Sequence, residues 1–171
     1  MINKAFRYIQ NYSLATIPVI TVILSMLLSI LPYKINSFSL LMPHIVLIVI
    51  YYWSIFQPQK LPYLFILVIG LFKDIIESDV LGLNGMYFLV FQVITRSQRK
   101  YIASKPFIVV WVDFMFCLSI ILLLPLLFAH FNTNIHSVKL STIFSQWLIT
   151  IFVYVPIHSF LSKLNNFSSR V

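Results

Sequence analysis

A chain of 171 residues that is 60% hydrophobic, 16% aromatic and only 9% charged has too little polar surface to face water on all sides, since a soluble domain carries about 25% charged residues. The composition excludes an ordinary soluble enzyme and indicates one all-helical integral membrane domain over residues 1–171, with little outside the bilayer. The formal net charge of +8 does not mark a nucleic-acid binder, because the basic residues lie in short turns between apolar runs and form no continuous patch.

A membrane-spanning helix needs about 20 apolar residues, and six segments approach that length, at 12–31, 40–56, 61–77, 79–95, 107–128 and 141–161. The first follows Lys4 and Arg7 and imitates a signal peptide. It exceeds the ~7 to 15 residues of a secretory apolar region and has no small-residue cleavage site after it, so it is expected to remain as an anchor. Pro43 opens the second segment, and the polar turn Gln57-Pro58-Gln59-Lys60 separates it from the third. Gly82 and Gly85 lie near the start of the fourth, for which Asp79 is the expected cap. Pro106 precedes the fifth, where a missing N–H is harmless. Pro125 and Pro156 fall late in the last two segments and are expected to bend them. The tail after Leu161 is polar and expected to fray. Strands are excluded, because the runs lack alternation and an open sheet edge cannot persist in lipid. Trp53, Trp111 and Trp147 lie near segment ends, where an aromatic belt would place them.

The twelve Lys and Arg set the orientation. With the N-terminus in the cytoplasm, the inner segments hold Lys4, Arg7, Lys60, Arg96, Arg99, Lys100, Lys105, Lys163 and Arg170, against Lys34 and Lys139 outside, with Lys73 inside a helix. That asymmetry over short loops predicts six transmembrane helices in one compact bundle with both termini cytoplasmic. A reporter fused to the C-terminus is expected to be active only in a form that works in the cytoplasm; activity confined to an external reporter would reverse the topology.

Three of the four acids, Asp74, Glu77 and Asp79, fall within the stretch from Tyr51 to Gly85. A charge in a membrane helix costs about 2.5 to 3.5 kcal/mol on insertion scales and needs a partner, a cavity or a function. Gly70, Lys73, Asp74 and Glu77 are spaced i, i+3, i+4, i+7 and share one face. Counted from Leu61 at 1.5 Å per residue, Asp74 lies ~20 Å along its helix, past the middle of a core about 30 Å thick. Lys73 leans toward the helix N-terminus and cannot readily snorkel outward, so pairing with Asp74 or Glu77 is expected, with a third partner from another helix. Gly70 would let that helix approach closely. Two readings stay open: a face buried in the bundle or against a partner protein, and a Lys73–Glu77 pair that merely neutralises itself near the outer surface. Asp113, the remaining acid, lies at a depth comparable with His158 and is a candidate partner for it.

Catalytic signatures are missing. There is no H-E-x-x-H, G-x-S-x-G, P-loop or dinucleotide fingerprint. The paired aspartates of an intramembrane protease would need G-x-G-D where this chain has G-L-F-K-D. His44, His130, His136 and His158 are scattered and lack the cysteines or acids of a metal site, and the single cysteine, Cys117, forms no internal disulfide. No cofactor or metal is expected.

The run Tyr52-Trp53, Pro58, Gly70-x-x-x-Asp74 and Leu81-Gly82 resembles the signature of the bacterial rod shape-determining protein MreD family. The layout of six apolar segments, Pro43 before the second and Pro156 late in the last are similar too. Lys73 departs from the family pattern, in which an apolar residue is usual beside the aspartate. The resemblance implies a non-enzymatic, multi-pass subunit of the bacterial inner (cytoplasmic) membrane, within the elongation complex that directs side-wall peptidoglycan synthesis. It further implies direct binding to the membrane-anchored MreC and, through it, association with MreB, RodA and a class B penicillin-binding transpeptidase. The implied fold is similar to the six-helix substrate-binding S-component of energy-coupling-factor transporters. Tyr52, Trp53, Pro58, Gly70, Asp74 and Gly82 carry over as motif residues, and Lys73 and Glu77 of the charged face join them as candidate partner-binding residues. The alternative is a substrate-binding membrane subunit of a vitamin transporter, which would require a polar pocket near one surface that the short outer loops are not expected to roof.

Overall fold

The computed structural model describes residues 16–29, 43–77, 81–131 and 140–170. These residues form the helices α1 (Thr16–Ser29), α2 (Ile45–Phe56), α3 (Tyr63–Glu77), α4 (Leu83–Ile102), α5 (Phe107–Phe131) and α6 (Leu140–Arg170), with a 3-10 turn at Pro58–Lys60 and no strand among them. Two helices, through Phe107–Leu124 and Ser141–Asn166, are long and apolar enough to cross a membrane. Thr16–Ser29 and Ile45–Phe56 are apolar but shorter. At 1.5 Å per residue, twelve residues of α2 reach about 18 Å, less than a hydrocarbon core of about 30 Å. The ends of the first two expected segments, at 12–15, 30–31 and 40–42, lie outside the described residues.

Helix ends differ from expectation where tertiary partners decide them. The fourth helix was expected at 79–95 but runs Leu83–Ile102. Its N-cap is Gly82; Asp79, the expected cap, lies outside the described residues, and the polar continuation survives because Arg96 and Arg99 are used in packing. The sixth continues to Arg170, where fraying was expected. There the Gln57 side-chain amide donates to Asn165 Oδ1 at 2.5 Å and holds the extension against the end of α2. Helix α5 continues past Pro125, and α6 past Pro156.

The centre of the assembly is α2. Every residue from Val46 to Ile55 is buried, as expected of a helix that is apolar all round. It packs against α4 and α6, while α4 also packs against α3 and α5. The outer helices turn large apolar side chains outward: Leu64 is 73% exposed, Phe116 59% and Phe152 67%. Only 33% of the α5 window and 17% of the α6 window is buried inside the protein, which fits helices facing lipid and not the core helices of a soluble domain.

Trp53 is not an interfacial belt residue. It is fully buried, and its indole N–H donates to Thr21 Oγ1 at 2.8 Å, tying α2 to α1. Trp147 likewise donates to Ser119 Oγ at 3.0 Å between α6 and α5. The basic end of α4 closes the C-terminal end of α2 and the following turn. Arg99 Nε donates to Ile55 O at 2.8 Å, and Gln92 Nε2 to Leu61 O at 2.9 Å. The Arg96 guanidinium donates to Pro58 O at 2.7 Å and also to Leu61 O, lying 4.1 Å from the centre of the Tyr63 ring. Carbonyls at the end of α2 and in the following turn thus receive side-chain donors from α4, two of them charged.

Helices α3 and α4 approach most closely at Gly70. A Cβ there would overlap the backbone of Gly85, whereas a Cβ on Gly85 would meet Leu67 O at 3.4 Å, an ordinary contact. Gly70→Ala is therefore expected to force the helices apart and lower the melting temperature in detergent by several degrees, on the order of 2 kcal/mol. Gly85→Ala should leave it nearly unchanged. Equal effects of the two substitutions would contradict this packing.

Candidate functional site

Asp74 lies in the last turn of α3 and is fully buried. Helix α4 starts beside it with Gly82 as its N-cap, at φ 94° and ψ −10°. Only glycine takes this left-handed conformation without a penalty of roughly 1–2 kcal/mol, but glycine has no side chain with which to cap the helix it starts. Asp74 supplies the missing acceptor. Its Oδ2 accepts the Gly82 N–H at 2.8 Å, and its Oδ1 accepts the Asn84 N–H at 3.0 Å and the Asn84 Nδ2 at 2.8 Å. The Gly82 carbonyl accepts the Met86 N–H at 2.8 Å, which closes the first turn.

The carboxylate thus faces the positive end of the α4 dipole. A hydrogen bond to a charged group contributes about 1.5 to 3 kcal/mol, so three of them outweigh the ~2.5 to 3.5 kcal/mol cost of an acid at membrane depth. Because this acid is satisfied by backbone and amide donors, Lys73 is left to Glu77, whose Oε2 lies 2.5 Å from Nζ. Lys73 Nζ also lies 3.5 Å from Asn84 Oδ1. Asn84 therefore links the ion pair to the cap, its oxygen toward the ammonium and its nitrogen toward the carboxylate.

The structure divides the sequence-derived residues between two ends of the bundle. Gly70, Lys73, Asp74, Glu77 and Gly82 gather where α3 ends and α4 begins. Tyr52, Trp53 and Pro58 lie at the other end, beside the C-terminus of α2. There the Tyr52 ring packs 4.7 Å from Phe56 and 5.2 Å from His158 between ring centres, and the Pro58 carbonyl meets Arg96.

Asp113 does not pair with His158. Its Oδ2 lies 2.6 Å from the Tyr51 hydroxyl, and the Gln98 amide, turned with its NH2 toward the carboxylate, donates to Oδ1 at 2.7 Å. His158 Nδ1 instead lies 3.0 Å from the Tyr154 hydroxyl. Proximity in depth gave the wrong partner because Asp113 faces α2 and α4, while His158 sits one turn after Tyr154 on its own helix.

Sequence reasoning missed Asn84 and His44. Asn84 had a signal: an amide two residues after a glycine, at the start of an apolar run, is a helix-start residue. His44 had none beyond its place next to Pro43. It precedes α2, its N–H donates to Thr150 Oγ1 at 3.1 Å, and its Nε2 is buried. His44, Lys73, Glu77, Asn84, Phe88 and Gln146 help line a cavity of about 200 Å³ at the Asp74 end. The cavity is of mixed lining, with Leu28, Pro43, Ile45, Val46 and Leu47 beside these polar groups. Among the described residues no group of three His, Cys, Asp or Glu side chains converges as a metal site would require.

A family model described as rod shape-determining protein MreD matches residues 11–164. An uncharacterized protein of Rickettsia prowazekii (strain Madrid E) is 32% identical over 129 residues, covering 75% of this chain and 72% of that relative. No solved structure matches.

Since both carboxylate oxygens of Asp74 accept, an amide cannot replace it. Asp74→Asn turns an NH2 toward an N–H donor, and Asp74→Ala leaves three donors unpaired. Both are expected to destabilise the detergent-solubilised protein by about 3 to 5 kcal/mol, read as a fall in melting temperature. A wild-type melting temperature in Asp74→Asn would refute the cap.

Proposed function

The chain belongs to the rod shape-determining protein MreD family, a family of membrane proteins, and from that membership we propose that it is a non-enzymatic scaffold of the bacterial inner membrane. In this reading it crosses the membrane several times with both termini in the cytoplasm, in an arrangement like the transporter S-component. It binds the anchor helix of an MreC-type protein directly and, through it, joins MreB, RodA and a class B penicillin-binding transpeptidase in directing side-wall peptidoglycan synthesis.

The observation that carries the scaffold reading is the use to which the charged motif is put. Asp74 and Gly70 are consumed inside the chain, one as a cap and one as a close contact, so they act on a partner by fixing the helix that meets it. With α3 locked on α4, the residues Leu64, Val68, Phe72 and Ile75 follow one another at helical spacing along its outward side, between 38% and 73% exposed. An apolar stripe on a rigid helix suits a single transmembrane anchor, because association in lipid depends on close van der Waals packing of preformed helices.

The test is co-purification from detergent with an MreC-type anchor. Phe72→Ala together with Ile75→Ala is expected to keep the wild-type melting temperature but lose capture, by about tenfold for each 1.4 kcal/mol of packing removed. Asp74→Ala should lose both. Undiminished capture by the α3 double variant would place the contact elsewhere.

The cavity favours one second reading, the vitamin-binding transporter subunit. Submicromolar binding of a water-soluble vitamin by the purified protein would support it over the scaffold.

A further inference from the structure

The cavity beside His44 has a neighbour. A second space of about 160 Å³ is lined by His44, Leu47, Asn84, Tyr87, Phe88, Ile121 and Leu122, and His44, Leu47, Asn84 and Phe88 also border the first. The two spaces differ in chemistry. The first sets Lys73, Glu77, Gln146 and Ser29 among apolar residues such as Leu28 and Val46, whereas the second is walled chiefly by hydrocarbon and aromatic side chains. His44 borders both; the Gln146 side chain interacts with its ring, but its buried Nε2 makes no hydrogen bond of ordinary geometry among the described residues. Buried polar atoms are almost always paired, so an orphan of this kind points to a group that belongs there. A single water needs ~10–15 Å³ of such space, far less than the 200 Å³ present.

Charge narrows the choice. Lys73 and Glu77 neutralise each other at 2.5 Å, and Asp74 is filled by its three donors. Among the described residues, the first space therefore holds no uncompensated charge for an anion or a cation to meet. What it offers is hydrogen bonding, from the His44 imidazole, the Gln146 amide and the Ser29 hydroxyl, next to an apolar recess.

We propose that the paired cavity at the Asp74 end binds an uncharged amphiphile, its hydroxyl- or amide-bearing head hydrogen-bonded to His44 Nε2 and its hydrocarbon chain seated against Leu47, Phe88, Ile121 and Leu122. The site is separate from the outward stripe of α3, so it stands or falls independently of the scaffold reading.

The test uses the full chain in phosphatidylcholine nanodiscs containing equal mole fractions of monoolein, oleic acid or oleylamine, with retained lipid read by native mass spectrometry after release. Monoolein is expected as a one-to-one adduct, about tenfold in excess of the acid and the amine. His44→Phe keeps the ring but removes the nitrogen, and it should lower the adduct about tenfold, the loss of one buried hydrogen bond. Gln146→Leu should lower it severalfold. Melting temperatures of both variants without added lipid report whether they are folded, and Ser97→Ala, on an exposed position of α4, serves as the unaltered reference. Free glycerol at the same concentration should not displace the adduct, which separates an amphiphile site from one for a small soluble polyol. Equal retention of the three lipids, no retention of monoolein, displacement by glycerol, or a wild-type adduct in folded His44→Phe would each overturn the proposal.

Discussion

A helix that begins in apolar surroundings exposes backbone N–H groups that water cannot reach, and in this chain one carboxylate answers that need for α4. Asp74 reaches across from the end of α3 to the N–H groups of Gly82 and Asn84. The bond pattern fixes where α4 starts, and it also fixes the rotation of α3, since only one face of that helix can present the carboxylate. Gly70, one turn earlier on the same face, then sets the distance between the two helices by lying against Gly85. From that start α4 runs alongside α2, and its far end delivers Gln92, Arg96 and Arg99 to the carbonyls that close α2 and the Pro58 turn. Both ends of the α2–α3–α4 unit are thus sealed by charged groups bonded to backbone.

This arrangement changes what the charged stripe means for function. An acid among apolar helices is readily taken for a docking point. Here it is inaccessible, and its bonding capacity is met within the chain. The motif makes a surface without forming one: it converts a short helix of fifteen residues into a rigid element whose apolar outer side keeps one orientation. The cavity beside the cap follows from the same geometry, because the Lys73–Glu77 pair and Asn84 line it while being occupied with one another.

Much of the helical architecture was legible in the sequence, because long apolar runs broken by proline and polar turns have no other stable form in lipid. The family signature was legible too, in Tyr52-Trp53, Pro58, Gly70, Asp74 and Gly82. The start of α4 was not. Asp79 is the nearer acid, and only the three-dimensional return of the chain shows that Asp74, eight residues before Gly82, is the cap. The same limit applied to Trp53 and Asp113. Position along a helix gives depth but not facing, so a belt tryptophan and a buried one read alike, and Tyr51 was overlooked as the partner of Asp113. Arg96 and Arg99 gave a topological signal that was real as a charge count, yet their bonds to Ile55, Pro58 and Leu61 depend on the packing of α4 on α2, which no local pattern encodes. How far α2 falls short of a full span was hidden for the same reason, since an apolar run does not show where its helix stops.

The most direct measurement is of the two amides themselves. In 15N-labelled protein in detergent micelles, the Gly82 and Asn84 backbone N–H signals should lie downfield and exchange with solvent as slowly as amides in the middle of α4, and both features should vanish in Asp74→Ala. Rapid exchange of these two amides in the wild-type protein, with the rest of α4 protected, would show that the carboxylate does not hold the helix start and would contradict the account.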